Sequence, residues 1–364
     1  MWVNNEVGTL KEAAMFGPPS IETYLTQFYP PEISLCFGHF DVIEAQKEFN
    51  GLVNLLGQLG VVVLDMKSAY VNTLNPPTHS AEKLVLDLVD KVLEFPDHTG
   101  EPNPGTLLHL LHLDSLLYGE EKAVALNKSL SLDPELPLGN IFFARDQANV
   151  MFDTCFLSNM KYPIRQPEVA VIKAALEELG YHKFVEISPG NFEGGDGMII
   201  DGDIYVGSGM RTTHEGVIQI ANHFSDKTTY KIAIPDMGSW EKNMEVMHSD
   251  TFFMPVHHKK IFGCIPVLEQ CSVINMQTGK EIPYLDHFVD KGYSINGIPT
   301  EEQKNYAANM LVTKPGVLIV PSDYNHKTNG KLHSDLITLY SAKLEHLTQA
   351  VGATHCMILQ TIKE

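Results

Sequence analysis

Of 364 residues only five are cysteine (Cys36, Cys155, Cys264, Cys271 and Cys356) and two are tryptophan. The cysteines are odd in number and scattered, with no Cys-x-x-Cys spacing. Neither a disulfide framework nor a zinc knuckle is indicated, and free thiols in a reducing compartment are expected. Positive charge is also scarce: 26 Lys plus Arg stand against 45 Asp plus Glu, a formal net charge of −19. Affinity for a phosphate backbone comes from counterions released at Lys and Arg contacts, so a nucleic-acid partner is disfavoured and small cationic ligands fit the sign better. No stretch reaches the ~18 apolar residues that span a bilayer, which argues against a membrane partner. The start, Met1-Trp2-Val3-Asn4-Asn5-Glu6, lacks the basic residues and apolar run of a secretory signal. A cytoplasmic protein is expected.

What is there is the composition of a folded chain: 44% apolar, 20% charged, with 27 Gly and 21 Pro. At roughly 150 residues per domain the length allows two domains, or one large domain with an insertion. Thr9 to Met15 reads as a strand, and the Gly17-Pro18-Pro19 and Pro30-Pro31 breakers mark a loop that ends before Ile33 to Phe37. Phe49, Val53, Leu56 and Leu59 recur at helical spacing from Val42 to Leu59. Gly60 stops that helix, and Val61 to Leu64 follows as a buried strand of a βαβ-like unit. Between about 76 and 137 the character changes. Ala81 to Phe95, Thr106 to Leu117 and Glu120 to Leu130 read as three helices without intervening strands.

After Leu138 strands and helices alternate again. Helix Glu168 to Leu179 leads to strand Lys183 to Ile187. Two short strands lie within Met198 to Val206, and helix Thr213 to Phe224 leads to strand Thr229 to Ala233. Gly316 to Pro321 reads as a strand, Leu332 to Leu347 as mostly helical, and Cys356 to Thr361 as a final strand. The recurring order of two strands, a helix and a strand is a structural repeat that allows a propeller-like ring around a central site. The length is then one ring domain, 1–75 with 138–364, interrupted by an inserted helical subdomain, 76–137.

Several short segments carry chemistry only in combination. Cys356 stands where a loop enters the last strand; alone it reads as a buried apolar residue. His248 and Asp250, in Met247-His248-Ser249-Asp250-Thr251, share a side if the segment is extended, as an acid/base pair, a metal pair or a hydrogen-bonded surface pair. Asn191 to Asp196 is a Gly-rich turn bearing Glu193 and Asp196, and Arg145-Asp146 reads equally as a surface ion pair. One reaction uses all of them: nucleophilic attack on the central carbon of a guanidinium. Carboxylates such as Asp146 and Asp250 would hold the cation, and Cys356 as thiolate would attack. His248 would move protons, and Glu193 would orient it or a guanidinium nitrogen.

These segments, in this order and spacing, resemble the guanidino-group-modifying enzymes, and most closely the arginine deiminase family, over nearly the whole chain. Glu6 to Glu12 is similar to the family's first strand, and Phe40-Asp41-Val42-Ile43-Glu44 through Leu64 to its first helix and second strand. Asn140 to Asp146 resembles its Asn-x-x-Phe-Thr-Arg-Asp segment, and Phe192 to Asp196 its Glu-Gly-Gly-Asp turn. Met247 to Thr251 matches its His-x-Asp-Thr. Ala308-Asn309 through Pro315-Gly316 and Tyr324 to Asn329 are similar to its late strand and turn, and Cys356 falls at its nucleophile. The resemblance implies a five-bladed pseudo-symmetric α/β propeller of ββαβ modules with a helical insertion.

By the same resemblance, Asp146 and Asp250 hold the guanidinium, Glu193 and His248 transfer protons, and Cys356 is the nucleophile. Arg165 and Arg211 match positions that bind a substrate carboxylate, and Asn140 and Phe143 fit pocket-lining positions. Ala144 stands where the family usually has Thr, Gln147 where it has Pro, and His355 precedes the nucleophile, as in glycine amidinotransferases, where arginine deiminases normally carry Arg. The expected activity is hydrolysis of L-arginine to L-citrulline and ammonia, with no metal or organic cofactor. An amidinotransferase, an ornithine-forming dihydrolase and a non-catalytic guanidino-ligand sensor are the alternatives. A metal hydrolase built from His248, Asp250, His109 and His112 is weaker, because the last two sit at i and i+3 in a Leu-rich helix where packing is the simpler account. The sequence leaves monomer and homo-oligomer open.

Overall fold

A computed structural model describes residues 1–38 and 41–364; Phe40, which opens one of the segments above, lies outside the described residues. Ala148–Met151 pairs antiparallel with Thr154–Leu157, helix Gln166–Glu178 crosses over, and Phe184–Glu186 returns parallel to Thr154–Leu157. The same ββαβ unit recurs as Gly197–Ile200, Asp203–Ser208, His214–His223 and Thr229–Ala233. It recurs as Phe253–His257, Lys260–Gly263, Tyr284–Asp290 and Ser294–Gly297, and as Leu311–Lys314, Val317–Val320, His326–Ser334 and Thr338–Ser341. A last unit draws on both ends of the chain. Strand Leu359–Lys363 pairs antiparallel with Leu10–Met15, and helix Val42–Gln58 leads to Val62–Asp65, parallel to Leu10–Met15. Because the final strand completes the module that the first residues begin, the modules close into a pseudo-symmetric α/β propeller. Hairpin Ser272–Asn275 with Glu281–Pro283 is extra; it extends the neighbouring sheet along Thr229–Ala233.

Local sequence explains these elements. In helix Val42–Gln58 the Asp41 carboxylate caps the first turn, accepting from the Ile43 and Glu44 amides at 2.8 and 3.3 Å. Val42, Ala45, Phe49, Leu52 and Leu56 form its buried stripe. Gly60 at φ +82° turns the chain toward the next strand, a conformation costly for a side-chain-bearing residue. The insertion holds helices Ala81–Glu94, Pro104–Tyr118 and Glu120–Ser131. Their Leu84, Leu88, Leu107, Leu110 and Val124 pack into one apolar core with Leu25, Phe49 and Leu52 of the terminal module. Among the described residues no helix is long and apolar enough to cross a membrane.

Five expectations change. Ile33 to Phe37 makes no strand: Pro31 starts a single helical turn, Pro31–Ser34, and Leu35 at φ +57° ends it, so the βαβ unit begins instead at Leu10–Met15. The preceding loop contains helix Ile21–Thr26. Val62–Asp65 is an edge strand, with Val62 57% exposed. Between Leu332 and Leu347 the helix stops at Ser334, Leu336 takes φ +61°, and Thr338–Ser341 supplies the parallel third strand of its module. The final strand starts at Leu359, which leaves Cys356 on the turn before it.

Candidate active site

Each expected catalytic side chain sits on a short turn at the inner end of a module. Asp146 lies on the helical turn Ala144–Gln147 before its hairpin, and Glu193 precedes the 3₁₀ turn Gly194–Asp196. His248 precedes the 3₁₀ turn Ser249–Thr251, which carries Asp250. Cys356 lies before the closing strand. Close approach explains the glycines of the Glu193 turn. A Cβ on Gly194 would stand 2.0 Å from the Arg145 carbonyl oxygen, and one on Gly195 would stand 2.7 Å from His248 Nδ1. The five side chains come together in the interior, and none is more than 2% exposed.

The Cys356 sulfur receives the Asn309 amide at 3.0 Å and lies 3.7 Å from Asp250 Oδ2. Asn309 Oδ1 also accepts from the His355 and Cys356 amides, at 3.0 and 3.3 Å, and so fixes the turn that carries Cys356. Burial above all, then the charges of Asp250 and Asp146, push the thiol well above its ordinary value. His248 Nε2 is 2.9 Å from Glu193 Oε2, and its Nδ1 is 3.7 Å from Asp146 Oδ1. Burial opposes the imidazolium, but Asp146 and the bond to Glu193 outweigh it and raise His248 to about 9. Burial opposes the Glu193 carboxylate too. Arg211 and then His248 overcome that and hold it well below the usual range.

His248 and Asp250 are not side by side on an extended strand. The 3₁₀ turn separates them, and Asp250 Oδ2 instead accepts His355 Nδ1 at 2.7 Å. His355 Nε2 lies 3.1 Å from Glu6, which also receives Gln360 at 2.7 Å and lies 3.5 Å from Lys363 and 3.6 Å from Arg145. Burial and Arg145 oppose protonation of His355, yet its bonds to Asp250 and Glu6 raise its pKa. Arg145 and Asp146 form no surface pair: both are buried, and Arg145 donates to the Gly197 carbonyl at 2.6 Å.

The two arginines expected at a substrate carboxylate are placed differently. Arg165 donates from Nη1 to Asp146 Oδ2 at 2.8 Å, from Nε to Glu168 at 2.9 Å and from Nη2 to the Asn140 carbonyl at 3.3 Å. Its donors are committed to oxygen acceptors on every side. Arg211 holds Glu193 Oε2 through Nη1 at 3.1 Å and lies over the Tyr162 ring at 4.4 Å. Asn140 donates its side-chain amide to the Ser34 carbonyl at 2.9 Å. Phe143 packs where a Cβ on Gly352, in the loop before Cys356, would stand 2.5 Å from its ring. His109 and His112 are exposed on the inserted helix, so neither a packing role nor a place beside the buried His248 fits them.

A cavity of about 640 Å³ adjoins this centre without reaching it. Met244, Tyr306 and Val351 are part of its wall, and none of the five catalytic candidates is. Inside, the buried atoms without a hydrogen-bond partner among the described residues include Asp146 Oδ1, Asp250 Oδ1 and His248 Nδ1, the first and last of which face each other at 3.7 Å. Each aspartate therefore has one oxygen held and one free beside a thiol and an imidazole, an arrangement suited to a planar cation.

The arginine deiminase family profile matches residues 35–361 of this sequence. The chain belongs to the arginine deiminase family. An arginine deiminase from Staphylococcus aureus (strain JH9) is 23% identical, across 100% of this chain and 98% of its own length. One from Limosilactobacillus reuteri is 24% identical across 63% of this chain, and the chain spans 62% of that relative's length. Among solved structures, DDAH from Pseudomonas aeruginosa complexed with citrulline superposes with a TM-score of 0.59 at 16% identity, covering 97% of this chain and 100% of its own. The product-bound N-terminal domain of ArgZ, an arginine dihydrolase from Cyanobacteria, gives 0.62 at 15% identity, with 97% of each chain covered. These likenesses bear on the fold, and they agree with the ring of modules.

Residues that sequence reasoning left without a role are Asn309 at the sulfur, His355 with Glu6 behind Asp250, and Asp196. Asp196 accepts the Ser249 amide at 2.9 Å, and burial raises it to about 6. The available signal was proximity to a motif: His355 abuts Cys356, and Asp196 closes the Glu193 turn.

Proposed function

We propose that this chain hydrolyses the guanidino group of free L-arginine to L-citrulline and ammonia through an amidino group carried on Cys356. The observation that carries the reading is the pair of buried carboxylate oxygens that accept no hydrogen bond, Asp146 Oδ1 and Asp250 Oδ1, in the centre that holds the Cys356 thiol. A buried carboxylate oxygen left unpaired costs about 1–3 kcal/mol or more, and two N–H groups of a guanidinium would satisfy both. The full-length relatives named arginine deiminase support arginine as the substrate.

The steps follow from the protonation states. A bound guanidinium favours the thiolate, and the thiol proton passes to solvent. The sulfur adds to the guanidinium carbon. His248, an imidazolium at neutral pH, protonates one amino nitrogen, and the C–N bond breaks to release ammonia and leave an S-amidino group. Neutral His248 then takes a proton from water as its oxygen adds to the same carbon. The C–S bond breaks, thiolate and citrulline form, and the adduct's hydroxyl proton leaves with ammonia as ammonium. Glu193 holds His248 through Nε2 throughout. Arg211 is assigned to the substrate carboxylate, whereas Arg165 positions Asp146, with Asn140 supporting Arg165 and Phe143 backing the nucleophile loop. Five free, buried cysteines support a reducing, cytoplasmic setting.

A substrate panel on the purified protein, with mass detection of citrulline, ornithine and ammonia, tests the reading. Arginine is expected to give citrulline and ammonia, and Cys356→Ala to bind arginine without turnover. Ornithine with no citrulline would replace deimination by dihydrolysis, and no product from arginine would reject the hydrolase.

A further inference from the structure

The turns that carry Glu193 and His248 are joined twice. Glu193 Oε2 meets His248 Nε2 at 2.9 Å, the contact that orients the proton-transferring imidazole. The second joint uses no group that touches the reacting atoms. Asp196 closes the 3₁₀ turn after Glu193, and its amide donates to the Glu193 carbonyl at 3.0 Å. Its side chain reaches across to the turn before the next module, where Oδ1 accepts the Ser249 amide at 2.9 Å and the Ser249 hydroxyl at 3.3 Å. Ser249 follows His248 directly, and the Thr251 hydroxyl donates to the His248 carbonyl at 2.7 Å, which ties that turn to itself. Strand Asp203–Ser208 closes in on the joint: a Cβ on Gly207 would stand 2.2 Å from Asp196 Oδ1 and 2.3 Å from Ser249 Oγ. Asp196 and Ser249 are buried, and Asp196 Oδ2 has no hydrogen-bond partner among the described residues, so Oδ1 carries the joint.

We propose that Asp196 is a positioning residue, whose ionised carboxylate holds the His248 turn against the Glu193 turn and so keeps the imidazolium aligned on Glu193 for proton transfer to the leaving nitrogen. This rests on the hydrolase reading above. A carboxylate grips an N–H roughly twice as strongly as a neutral oxygen does. A proton on the free Oδ2 therefore leaves the joint in place but slack, and it also withdraws a negative charge from beside His248. That proton is within reach of ordinary conditions. Burial first, and Glu193 after it, raise Asp196 to about 6, against the lowering effect of His248 and the Ser249 amide. The other charged groups on the elements packed against this turn are Asp250, and Arg145 with Asp146 on Ala144–Gln147; the adjoining strands bring the neutral Asn149 and Gly207.

The test is kcat at saturating arginine from pH 5 to 8, for wild type and Asp196→Asn. Asparagine keeps an oxygen for the Ser249 amide and has no charge to lose, so it stands for the protonated residue at every pH. The ratio of the two rates cancels every ionisation that the proteins share, the Cys356 thiol included. That ratio should be close to unity at pH 5 and climb to about 5- to 10-fold at pH 8, with a midpoint of about 6. Ser249→Ala removes one donor to the carboxylate and should raise its midpoint by about half a unit; kcat then falls about 1.5-fold below wild type near pH 6 and rejoins it at pH 8. A pH-independent ratio for Asp196→Asn, or for Ser249→Ala if Asp196→Asn does not fold, would overturn the proposal and leave the hydrolase reading intact. Absence of turnover by the wild type at every pH would refute the hydrolase reading and the positioning role with it.

Discussion

Binding of a guanidinium should ionise Cys356. In the empty protein the thiol is held up first by burial and then by Asp250 and Asp146, so it is protonated at neutral pH. The same two carboxylates would hold the substrate, which places its positive carbon beside the sulfur. A unit charge at about 4 Å acts with about 4 kcal/mol at an effective dielectric of about 20. At about 1.4 kcal/mol per unit, that lowers the thiol by roughly three pH units. The thiolate's ultraviolet absorbance, taken as the difference between wild type and Cys356→Ser, gives the midpoint directly and needs no reagent to enter a closed site. Millimolar methylguanidinium, which cannot be turned over to citrulline, should shift that midpoint down by about two to three units. It should also release a proton into weak buffer. Because the pair is buried, moderate salt should change the shift little. A midpoint already near neutrality in the empty protein, unmoved by methylguanidinium, would refute substrate-assisted ionisation and imply a preformed thiolate held by some other cation.

Further outcomes follow from the groups around the thiol. His248 is raised from about 6.5 to about 9, so its pairing adds stability that is complete below pH 6.5 and is lost as pH rises through 9. Thermal midpoints should fall across that window, His248→Asn should flatten the fall, and the kcat of the wild type should decline above about pH 9 as the acid is lost. His355→Gln removes the cation between Asp250 and Glu6. Breaking a buried pair costs about 3–5 kcal/mol, read by urea unfolding, and the Cys356 midpoint should rise because Asp250 then acts on it uncompensated. Gly194→Ala and Gly195→Ala should differ in kind. The first sets a Cβ against the Arg145 carbonyl and should prevent folding; the second presses on the His248 ring and should give a folded protein with kcat reduced at little change in Tm.

The alternation of strands and helices was legible wherever apolar spacing and a stop residue coincide, as at Val42–Gln58 and its Gly60. It failed where neighbouring chain decides the outcome. Ile33 to Phe37 has the composition of a strand, but Pro31 supplies a fixed φ for a helical start and Leu10–Met15 already occupies the place beside Val62–Asp65. Tyr340 and its neighbours become a strand because Val317–Val320 offers an open edge. Spacing within a segment cannot show which edges are free.

The site divides in the same way. A motif names a residue but not the oxygen that remains available. His248-Ser249-Asp250 invites an acid/base pair, yet the folded turn gives His248 to Glu193 and Asp250 to His355. Arg165 and Arg211 are equivalent as sequence, since each is an arginine in a plausible position; only their partners separate a saturated guanidinium from one with a donor to spare. The oxygen partners of Arg165 and Arg211 lie within 25 residues of them, but Glu6 is 349 residues from His355, and it is the ring closure by Leu359–Lys363 on Leu10–Met15 that brings the first residues behind Cys356. The charge that first served to disfavour nucleic acid is therefore a matter of local arrangement. Asp146 and Asp250 each place one oxygen on an internal donor, Arg165 and His355 respectively, and each leaves the other oxygen without a hydrogen bond, open to a cation that arrives from outside.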